Sequence, residues 1–283
     1  KATSLLTGLK EVAGSQVKIL TARGSNLDED SLFEDRAGMF GKSLHRDSRP
    51  AAVILQEALD IAKQSDVIVA ALGESAEMSG ESSSRSNISI PKAQQDLLKA
   101  LVQTGKPVVL VLFTGRPLAL KWENDHVPAI LNVWFGGSEA GYAIADVLFG
   151  DVNPSGKLST TFPQNVGQVP IYYAHKNTGR PLAEGKWFEK FRSNYLDVSN
   201  EPVYPFGYGL SYTSFSYSDI KLSSTSLKGN QTLTATVSVT NTGSYDGKEV
   251  VQLYIRDVVG SVTRPVKELK GFQKIAIKAG ETK

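Results

Sequence analysis

The sequence contains no cysteine, and this absence excludes several kinds of site. Without thiols the chain has no cysteine nucleophile, no disulfide and no cysteine-based zinc centre. The same absence fits the cytosol and the periplasm equally well. Histidine is also scarce: His45, His126 and His175 lie far apart and lack the spacing of metal ligands. We therefore expect each of them to be a surface or capping residue and expect no metal centre.

Long apolar runs and an excess of one charge are missing as well. No run approaches the ~20 apolar residues that a membrane span needs, so we expect no membrane partner. Lys and Arg number 31 and Asp and Glu 29, a net charge of +2 with the signs interspersed, which argues against a nucleic-acid partner. No signal peptide begins at Lys1, so any targeting segment would lie outside the chain. A length of 283 residues, 41% of them apolar, predicts about two globular domains.

Apolar runs and helix-like segments alternate in the first part of the chain. The strand-like runs are VKIL (17–20), DVIVAALG (66–73), PVVLVLFTG (107–115) and PAILNVWFGG (128–137). The segments with helical spacing are 51–65, 91–104 and 138–150. Continuous apolar strands alternating with helices predict an α/β domain, with an open, mostly parallel sheet and helices on both faces. We place this domain at 1–165 and expect an edge strand at KLSTTFP (157–163).

The pattern changes twice after this domain. Residues 166–216 are rich in Pro, Gly, Tyr and Asn and predict an extended linker with aromatic anchors. Residues 217–283 alternate apolar and polar side chains, which predicts an all-β, fibronectin type III-like sandwich. Such a sandwich needs about seven strands, whereas this segment has room for four or five. We therefore expect the second domain to be incomplete.

The stretch GESAEMSGESSSRSNISIP (73–91) follows a buried strand and is too polar for a core element. Ligands of open parallel sheets gather beyond the carboxyl ends of the strands, where FTGRP and WFGGSEAG also lie. A phosphate site is disfavoured, because LTARGSN has one glycine and GDVNPSGK (150–157) departs from P-loop spacing. No G-x-S-x-G nucleophile elbow occurs. A solvated connecting loop remains the simple alternative.

Carboxylate chemistry is the remaining option for this stretch, which contains Glu74, Glu77 and Glu81. A glutamate that donates a proton near neutral pH needs a raised pKa and a substrate oxygen within hydrogen-bond reach. Sugar cleavage usually needs two carboxylates, ~5–5.5 Å apart for retention of configuration. This loop can supply one of them, and nothing else in the chain obviously supplies the other.

Several longer motifs resemble family 3 glycoside hydrolases, and most closely the periplasmic bacterial β-glucosidases of that family. In chain order they are GE…E-x-x-x-R-x-x-I-x-IP, GKPVVLVLFTGRPLAL, WFGGSEAGYAIADVLFGDVNPSGKLSTTFP, YPFGYGLSYTSF and VTNTGSYDGKEVVQLYIRDVVGSVTRPVKELKGFQKI. The family has an N-terminal barrel, an α/β sandwich domain and often a fibronectin type III-like domain. The chain resembles the second and third parts, so we expect a C-terminal part without the barrel.

The resemblance also assigns roles to residues of the loop. It implies that Glu81, which precedes Arg85 and the run Ile88–Ile90, is the acid/base catalyst, with Glu77 as its rival. Glu74 is expected to be structural and to bond loop backbone at the strand end. Ser82 and Arg85 are candidate substrate ligands, although Arg85 could equally orient the loop or be a plain surface arginine.

The activity implied is that of a retaining, exo-acting β-glucosidase on terminal β-D-glucosyl residues, with no cofactor. Its nucleophilic aspartate would lie on the barrel, so the isolated chain should be inactive. Expected partners are a β-linked gluco-oligosaccharide or aryl glucoside and the N-terminal barrel domain of the same enzyme, and a homodimer is compatible with the resemblance. The expected location is periplasmic or secreted. Alternatives are a non-catalytic carbohydrate-binding or scaffolding module and, third, a nucleotide-binding α/β domain.

Overall fold

The computed structural model describes residues 2–38, 44–183 and 185–283, and the chain divides into two compact units. The first, which we call the α/β unit, comprises Lys1–Ala145, Thr160–Tyr172 and Thr178–Pro205. The second, which we call the β unit, comprises Asp146–Ser159, Tyr173–Asn177 and Phe206–Lys283. The segment 166–216, predicted as a linker, therefore contributes to both units. The domain boundaries that we placed at 165/166 and 216/217 stay a prediction.

Helices and strands alternate along the first half of the chain. The helices are α1 Leu5–Ala13, α2 Ser31–Arg36, α3 Ala51–Lys63, α4 Lys92–Gln103, α5 Lys121–His126 and α6 Ala140–Phe149. The strands of the α/β unit are β1 Ile68–Gly73, β2 Val108–Phe113 and β3 Ala129–Asn132. None of the helices in the described ranges is long and apolar enough to cross a membrane.

The three strands form one parallel sheet in the order β1-β2-β3. Ile68 is paired with Val108, and Leu110 with Ile130. Leu110, Val111 and Leu112 have no solvent exposure, so both faces of the central strand are covered. A strand buried on both faces needs apolar residues at every position, which is why its sequence reads as a continuous apolar run. The predicted α/β class with a parallel sheet is confirmed.

Helix α4 connects β1 to β2 and shows how the connections pack. It begins directly after Pro91, whose ring fixes φ at a value suited to a helix start. Its apolar face, Leu97, Leu98 and Leu101, is buried, and the helix contacts α3 and β1. Gly105 follows in the left-handed region, at φ 73°, where a residue without Cβ stops the helix at little cost.

Two predicted strands do not form. The run VKIL (17–20) is neither helix nor strand, and Val17 is exposed. KLSTTFP (157–163) was predicted as an edge strand, but it is limited to an isolated antiparallel bridge between Phe162 and Tyr204. In that bridge the Phe162 backbone N–H donates to the Tyr204 carbonyl at 2.8 Å. A short apolar run can bury its side chains in irregular backbone as readily as in a strand. An apolar run of four to seven residues therefore does not by itself indicate a strand.

The β unit contains antiparallel strand pairs: β4 with β7, β5 with β6 and β8 with β9. Their bounds are β4 Phe215–Tyr217, β5 Lys221–Leu222, β6 Ala235–Thr236, β7 Val239–Asn241, β8 Gly247–Ile255 and β9 Glu268–Ile277. The run 233–242, which alternates apolar and polar side chains, is divided between β6 and β7. The predicted all-β second part is confirmed.

Asn241 joins separate segments of the β unit. Its side chain is fully buried, and its amide nitrogen donates to the carbonyls of Tyr245 (2.8 Å) and Ile277 (3.0 Å). Its amide oxygen accepts from the Thr213 hydroxyl at 2.7 Å and from the Gly243 N–H at 3.1 Å. A buried amide that makes all four bonds fixes the backbone around it, because losing any one bond would leave a buried polar group unpaired.

Candidate active site

The loops that follow β1, β2 and β3 meet at the carboxyl edge of the parallel sheet. Gly115, in the loop after β2, lies between the other two. A Cβ atom placed on it would be 2.3 Å from the Ser79 hydroxyl oxygen and 2.8 Å from a ring carbon of Phe135. Only a residue without a side chain fits there. The expected gathering of these loops beyond the strand ends is therefore present in the structure.

Glu74 is the first residue beyond β1, and its side chain has no solvent exposure. Its backbone N–H donates to the Phe113 carbonyl at 2.8 Å, which extends the pairing of β1 with β2. Its Oε2 accepts from the Thr114 hydroxyl at 2.7 Å and from the Gly115 N–H at 3.3 Å. Glu74 thus ties the loop after β1 to the loop after β2. This arrangement agrees with the structural role expected for it.

Two arginines face the other carboxylate oxygen of Glu74. Arg85 Nη1 donates to Oε1 at 2.8 Å, and Arg116 Nε lies 3.1 Å from the same oxygen. The Arg116 contact is an ion pair without hydrogen-bond alignment, because Nε has no aligned acceptor. The side chains of Arg85 and Arg116 are only 11% and 19% exposed. Glu74, Arg85 and Arg116 together carry two positive charges and one negative charge.

The Arg85 guanidinium makes two hydrogen bonds within the protein. Besides the bond to Glu74, its Nη2 donates to the Ser89 carbonyl at 3.0 Å, near the end of the loop. The loop is therefore held at its start by Glu74 and near its end by Arg85. Contact of Arg85 or Ser82 with a substrate stays a prediction, and the structure shows that the charge of Arg85 is already paired.

The two candidate acid/base residues lie in different environments. Glu77 belongs to a short 3₁₀ turn, Ala76–Met78, and is half-buried. A Cβ placed on Gly80 would lie 3.6 Å from Glu77 Oε2, so this carboxylate folds back over its own turn. Glu81 is exposed and has no hydrogen-bond or salt-bridge partner among the described residues. Of the three carboxylates in the loop, Glu81 is the one most available to a ligand.

The backbone around Glu81 is unusual at the next residue. Ser82 has φ 62°, in the left-handed region that non-glycine residues seldom adopt, and its side chain is exposed. Glu81 and Ser82 form a turn, in which the Ser83 N–H donates to the Gly80 carbonyl at 3.2 Å. Trp134 in the loop after β3 also has a positive φ, 52°, and its ring centroid lies 5.8 Å from that of Phe162. Trp134 is therefore partly packed, whereas Phe135 beside it is 53% exposed.

His126 and His175 make local contacts. His126 stacks on Trp122 with centroids 4.6 Å apart, and its Nδ1 lies 2.8 Å from the Trp122 carbonyl oxygen. His175 is exposed and contacts the Lys176 carbonyl at 3.3 Å. No group of three or more His, Asp or Glu side chains in the described part of the chain could hold a metal ion.

Arg116 is the site residue that the sequence analysis missed. The loop FTGRP was named for its place after a buried strand, but no role was given to its arginine. A cation directly beyond an apolar strand, in a tight Thr-Gly-Arg-Pro turn, was the available signal. Its partner Glu74 lies 42 residues earlier in the chain, so the pairing itself could not be inferred from local sequence.

Residues 1–212 match the model of the glycosyl hydrolase family 3 C-terminal domain, and residues 249–283 match a fibronectin type III-like domain. The chain belongs to glycoside hydrolase family 3. The resemblance identified from the sequence motifs is therefore confirmed, for both the α/β part and the β part of this family 3 chain.

The relatives of this family 3 chain are much longer than it is. It is 50% identical over 283 residues to a periplasmic beta-glucosidase of Salmonella typhimurium, covering 100% of the chain and 37% of the relative. It is 42% identical to a beta-xylosidase of Formosa agariphila, covering 99% of the chain and 35% of the relative. The chain thus spans just over a third of the length of these relatives.

Solved structures agree with the family assignment. A beta-glucosidase from Listeria innocua aligns over 100% of this chain and 36% of its own, with TM-score 0.82 and 42% identity. A mutant of that protein in complex with laminaribiose aligns equally well, with TM-score 0.82 and 42% identity. A β-glucosidase from Erythrobacter marinus aligns with TM-score 0.82 at 37% identity.

Proposed function

We propose that this chain supplies the acid/base carboxylate, Glu81, to a retaining, exo-acting β-glucosidase. The observation that carries the proposal is the contrast within one loop. Glu74 is buried and fully engaged, and Glu77 lies over its own turn. Glu81 is exposed, has no hydrogen-bond or salt-bridge partner within the described ranges, and lies on a loop anchored at both ends. A catalytic carboxylate must reach the substrate from a backbone that is held in place.

The chemistry follows from the two charge states of a carboxyl group. Protonated, Glu81 donates its proton to the glycosidic oxygen as the bond to the sugar breaks; ionised, it then removes a proton from the water that attacks the glycosyl-enzyme intermediate. The second carboxylate, an aspartate nucleophile, is proposed to lie on the N-terminal barrel domain of the longer enzyme.

The proposed substrate is a β-linked gluco-oligosaccharide or an aryl β-glucoside. The names of the relatives support a β-glycoside, since they are beta-glucosidases and a beta-xylosidase. The values of kcat/KM of the complete enzyme for an aryl β-glucoside and an aryl β-xyloside decide between the two sugars. The name of the Salmonella relative, a periplasmic beta-glucosidase, also supports a periplasmic or secreted location.

The role of Glu81 is tested by Glu81→Gln in the complete enzyme, with Glu77→Gln as the matched control in the same loop. Removal of a general acid and base costs about 10²–10⁴-fold in turnover. We expect kcat for an aryl β-glucoside to fall by that order in Glu81→Gln and to change by less than about tenfold in Glu77→Gln. A large loss in Glu77→Gln with little loss in Glu81→Gln would reverse the assignment.

The proposal also predicts how the 283-residue chain behaves alone. Since the nucleophile is proposed to lie on another domain, the purified chain should not hydrolyse an aryl β-glucoside. Turnover that co-purifies with the chain and persists in Glu81→Gln would show that another carboxylate pair is present, and would contradict the division of the site between domains.

A further inference from the structure

The side chain of Arg116 crosses from the loop after β2 to the loop that carries Glu81. Its Nη2 donates to the carbonyl oxygen of Met78 and, at 3.4 Å, to that of Ser83. Met78 lies three residues before Glu81, and Ser83 lies two residues after it. A single guanidinium nitrogen therefore joins the backbone on both sides of Glu81.

Arg116 also forms an ion pair with the buried carboxylate of Glu74. Its Nε lies 3.1 Å from Oε1 of Glu74, a side chain without solvent exposure. The other oxygen of that carboxylate accepts from Thr114 and from the backbone N–H of Gly115. Bonds between charged groups and backbone in a buried position restrict motion more than neutral surface bonds do. Arg116 thus connects the carboxyl edge of the sheet to the backbone around Glu81.

The segment that Arg116 contacts has little structure of its own. Between Ser79 and Pro91 the chain forms neither helix nor strand. Ser82 is in the left-handed region, and such a conformation persists when surrounding contacts fix it. Within the loop, the Ser83 N–H donates to the Gly80 carbonyl at 3.2 Å across Glu81. Arg116 adds the contact from another loop that spans Glu81.

We propose that Arg116 is the positioning residue of Glu81, acting through the Met78 and Ser83 carbonyls; this inference rests on the proposed function. Proton transfer needs the carboxyl oxygen within about 2.6–3.2 Å of the substrate oxygen. A misplacement of about 1 Å can cost about 10²-fold in rate. Losing the Arg116 contact frees the backbone around Glu81 and lowers the fraction of time for which this geometry holds.

The test compares two substrates of the complete enzyme whose leaving groups differ in their need for a proton. The alcohol of an alkyl β-glucoside needs a proton as the glycosidic bond breaks. Dinitrophenolate, the leaving group of a dinitrophenyl β-glucoside, is a weak base and departs without a proton. For Arg116→Gln we expect kcat/KM to fall by about 10²-fold on the alkyl glucoside and by less than about threefold on the dinitrophenyl glucoside. Arg116→Lys should show the same discrimination with a smaller loss, since an ammonium retains the charge and part of the donor capacity.

Arg46 offers a matched control elsewhere in the α/β unit. It also pairs with a buried glutamate, with 2.6 Å between its Nη1 and Glu34 Oε2, and it also donates to two backbone carbonyls, those of Asp28 and Glu29. Arg46→Gln should lower thermal stability as Arg116→Gln does. Any change in kcat/KM should be the same factor for both substrates, because the loss of a structural arginine does not distinguish leaving groups.

Glu81→Gln, measured on the same pair of substrates, separates the two levels of inference. If Glu81→Gln discriminates between the substrates and Arg116→Gln loses equally on both or not at all, the positioning role of Arg116 is overturned and the proposed function stands. If Glu81→Gln does not discriminate, the proposed function is overturned together with this inference. Should Arg116→Gln fail to fold, Arg116→Lys decides: equal factors on both substrates refute the proposal.

Discussion

The guanidinium of Arg85 lies 2.8 Å from the carboxylate of Glu74, at the carboxyl edge of the parallel sheet. The two residues are eleven positions apart and belong to the same loop, so their ion pair closes the loop on itself. Neither side chain is more than 11% exposed, and Glu74 is the counter-charge of Arg85. The pair explains why a loop made largely of Ser, Gly and Glu has a defined path.

We expect Glu74→Ala to destabilise the α/β unit strongly. Removing this carboxylate leaves two poorly exposed arginines without their counter-charge, and breaking a buried pair in this way typically costs about 3–5 kcal/mol. Urea-induced unfolding followed by circular dichroism measures the change. Glu81→Ala in the same loop is the control, since an exposed carboxylate without a partner should change stability by about 0.5 kcal/mol or less. Equal midpoints for the two variants would contradict the role of Glu74.

Gly115→Ala tests the convergence of the three loops. The new methyl group would overlap Ser79 and press on the ring of Phe135. Overpacking of this kind costs about 1–3 kcal/mol, and it should also lower turnover of the complete enzyme, because the loop with Glu81 must shift.

A second substitution makes the Gly115 prediction specific. Ser79→Gly removes the two closest atoms that the new methyl group would meet, the Cβ and hydroxyl oxygen of Ser79, while the Phe135 contact remains. The double variant should therefore recover part of the lost stability. Gly179→Ala is the control, since no atom lies within 4 Å of the position that its Cβ would occupy. Additive losses in the double variant would mean that the two loops do not touch at this point.

Glu123 gives the structure a pH dependence of its own. It lies in α5 and is buried, and burial raises the pKa of its carboxyl above the ordinary 4.5, against the lowering effects of its own backbone N–H and of Lys99 and His126. The native state therefore keeps this proton at pH values where the unfolded chain has lost it. Stability from this group is greatest below pH 4.5 and falls as the pH rises through the raised value.

Glu123→Gln removes that ionisation while keeping an oxygen acceptor for the backbone. Relative to the unaltered chain, the variant should gain stability as the pH rises above about 4.5 and should show little advantage below it. Melting temperatures across this range measure the difference. Asp125→Asn in the same helix is the control: its pKa is lowered, chiefly by a hydrogen bond from Lys121, so the stability that it contributes changes with pH in the opposite direction. Parallel curves for Glu123→Gln and the unaltered chain would contradict the assignment.

The sequence predicted the parallel sheet well because its signal is repeated. Each of β1, β2 and β3 lies in a continuous apolar run, and a segment with helical spacing, 91–104, separates β1 from β2. The short helix α5 between β2 and β3 was not predicted. VKIL (17–20) had the same apolar character as the strands over only four residues and formed no strand. KLSTTFP (157–163) formed one bridge to Tyr204, a residue about forty positions later, and no local pattern indicated that partner.

The position of the candidate site was predictable from the sequence, but the contacts between its side chains were not. The carboxyl ends of parallel strands share one edge, so the loop with its three glutamates had to lie beside FTGRP and WFGGSEAG. The resemblance to family 3 then selected Glu81. It did not indicate that Arg85 would form an ion pair with Glu74, or that Arg116 would donate to the backbone on both sides of Glu81.

The sequence by itself determined the class of each part of this chain and the loop where its chemistry is proposed, because the apolar pattern of each segment is a local property. Only the tertiary structure decided which carboxylate is buried and which is free. Glu74, Glu77 and Glu81 are chemically identical, and what distinguishes them is the set of groups brought to each one. Arg116 and Thr114 reach Glu74 from about forty residues away, through the pairing of β1 with β2.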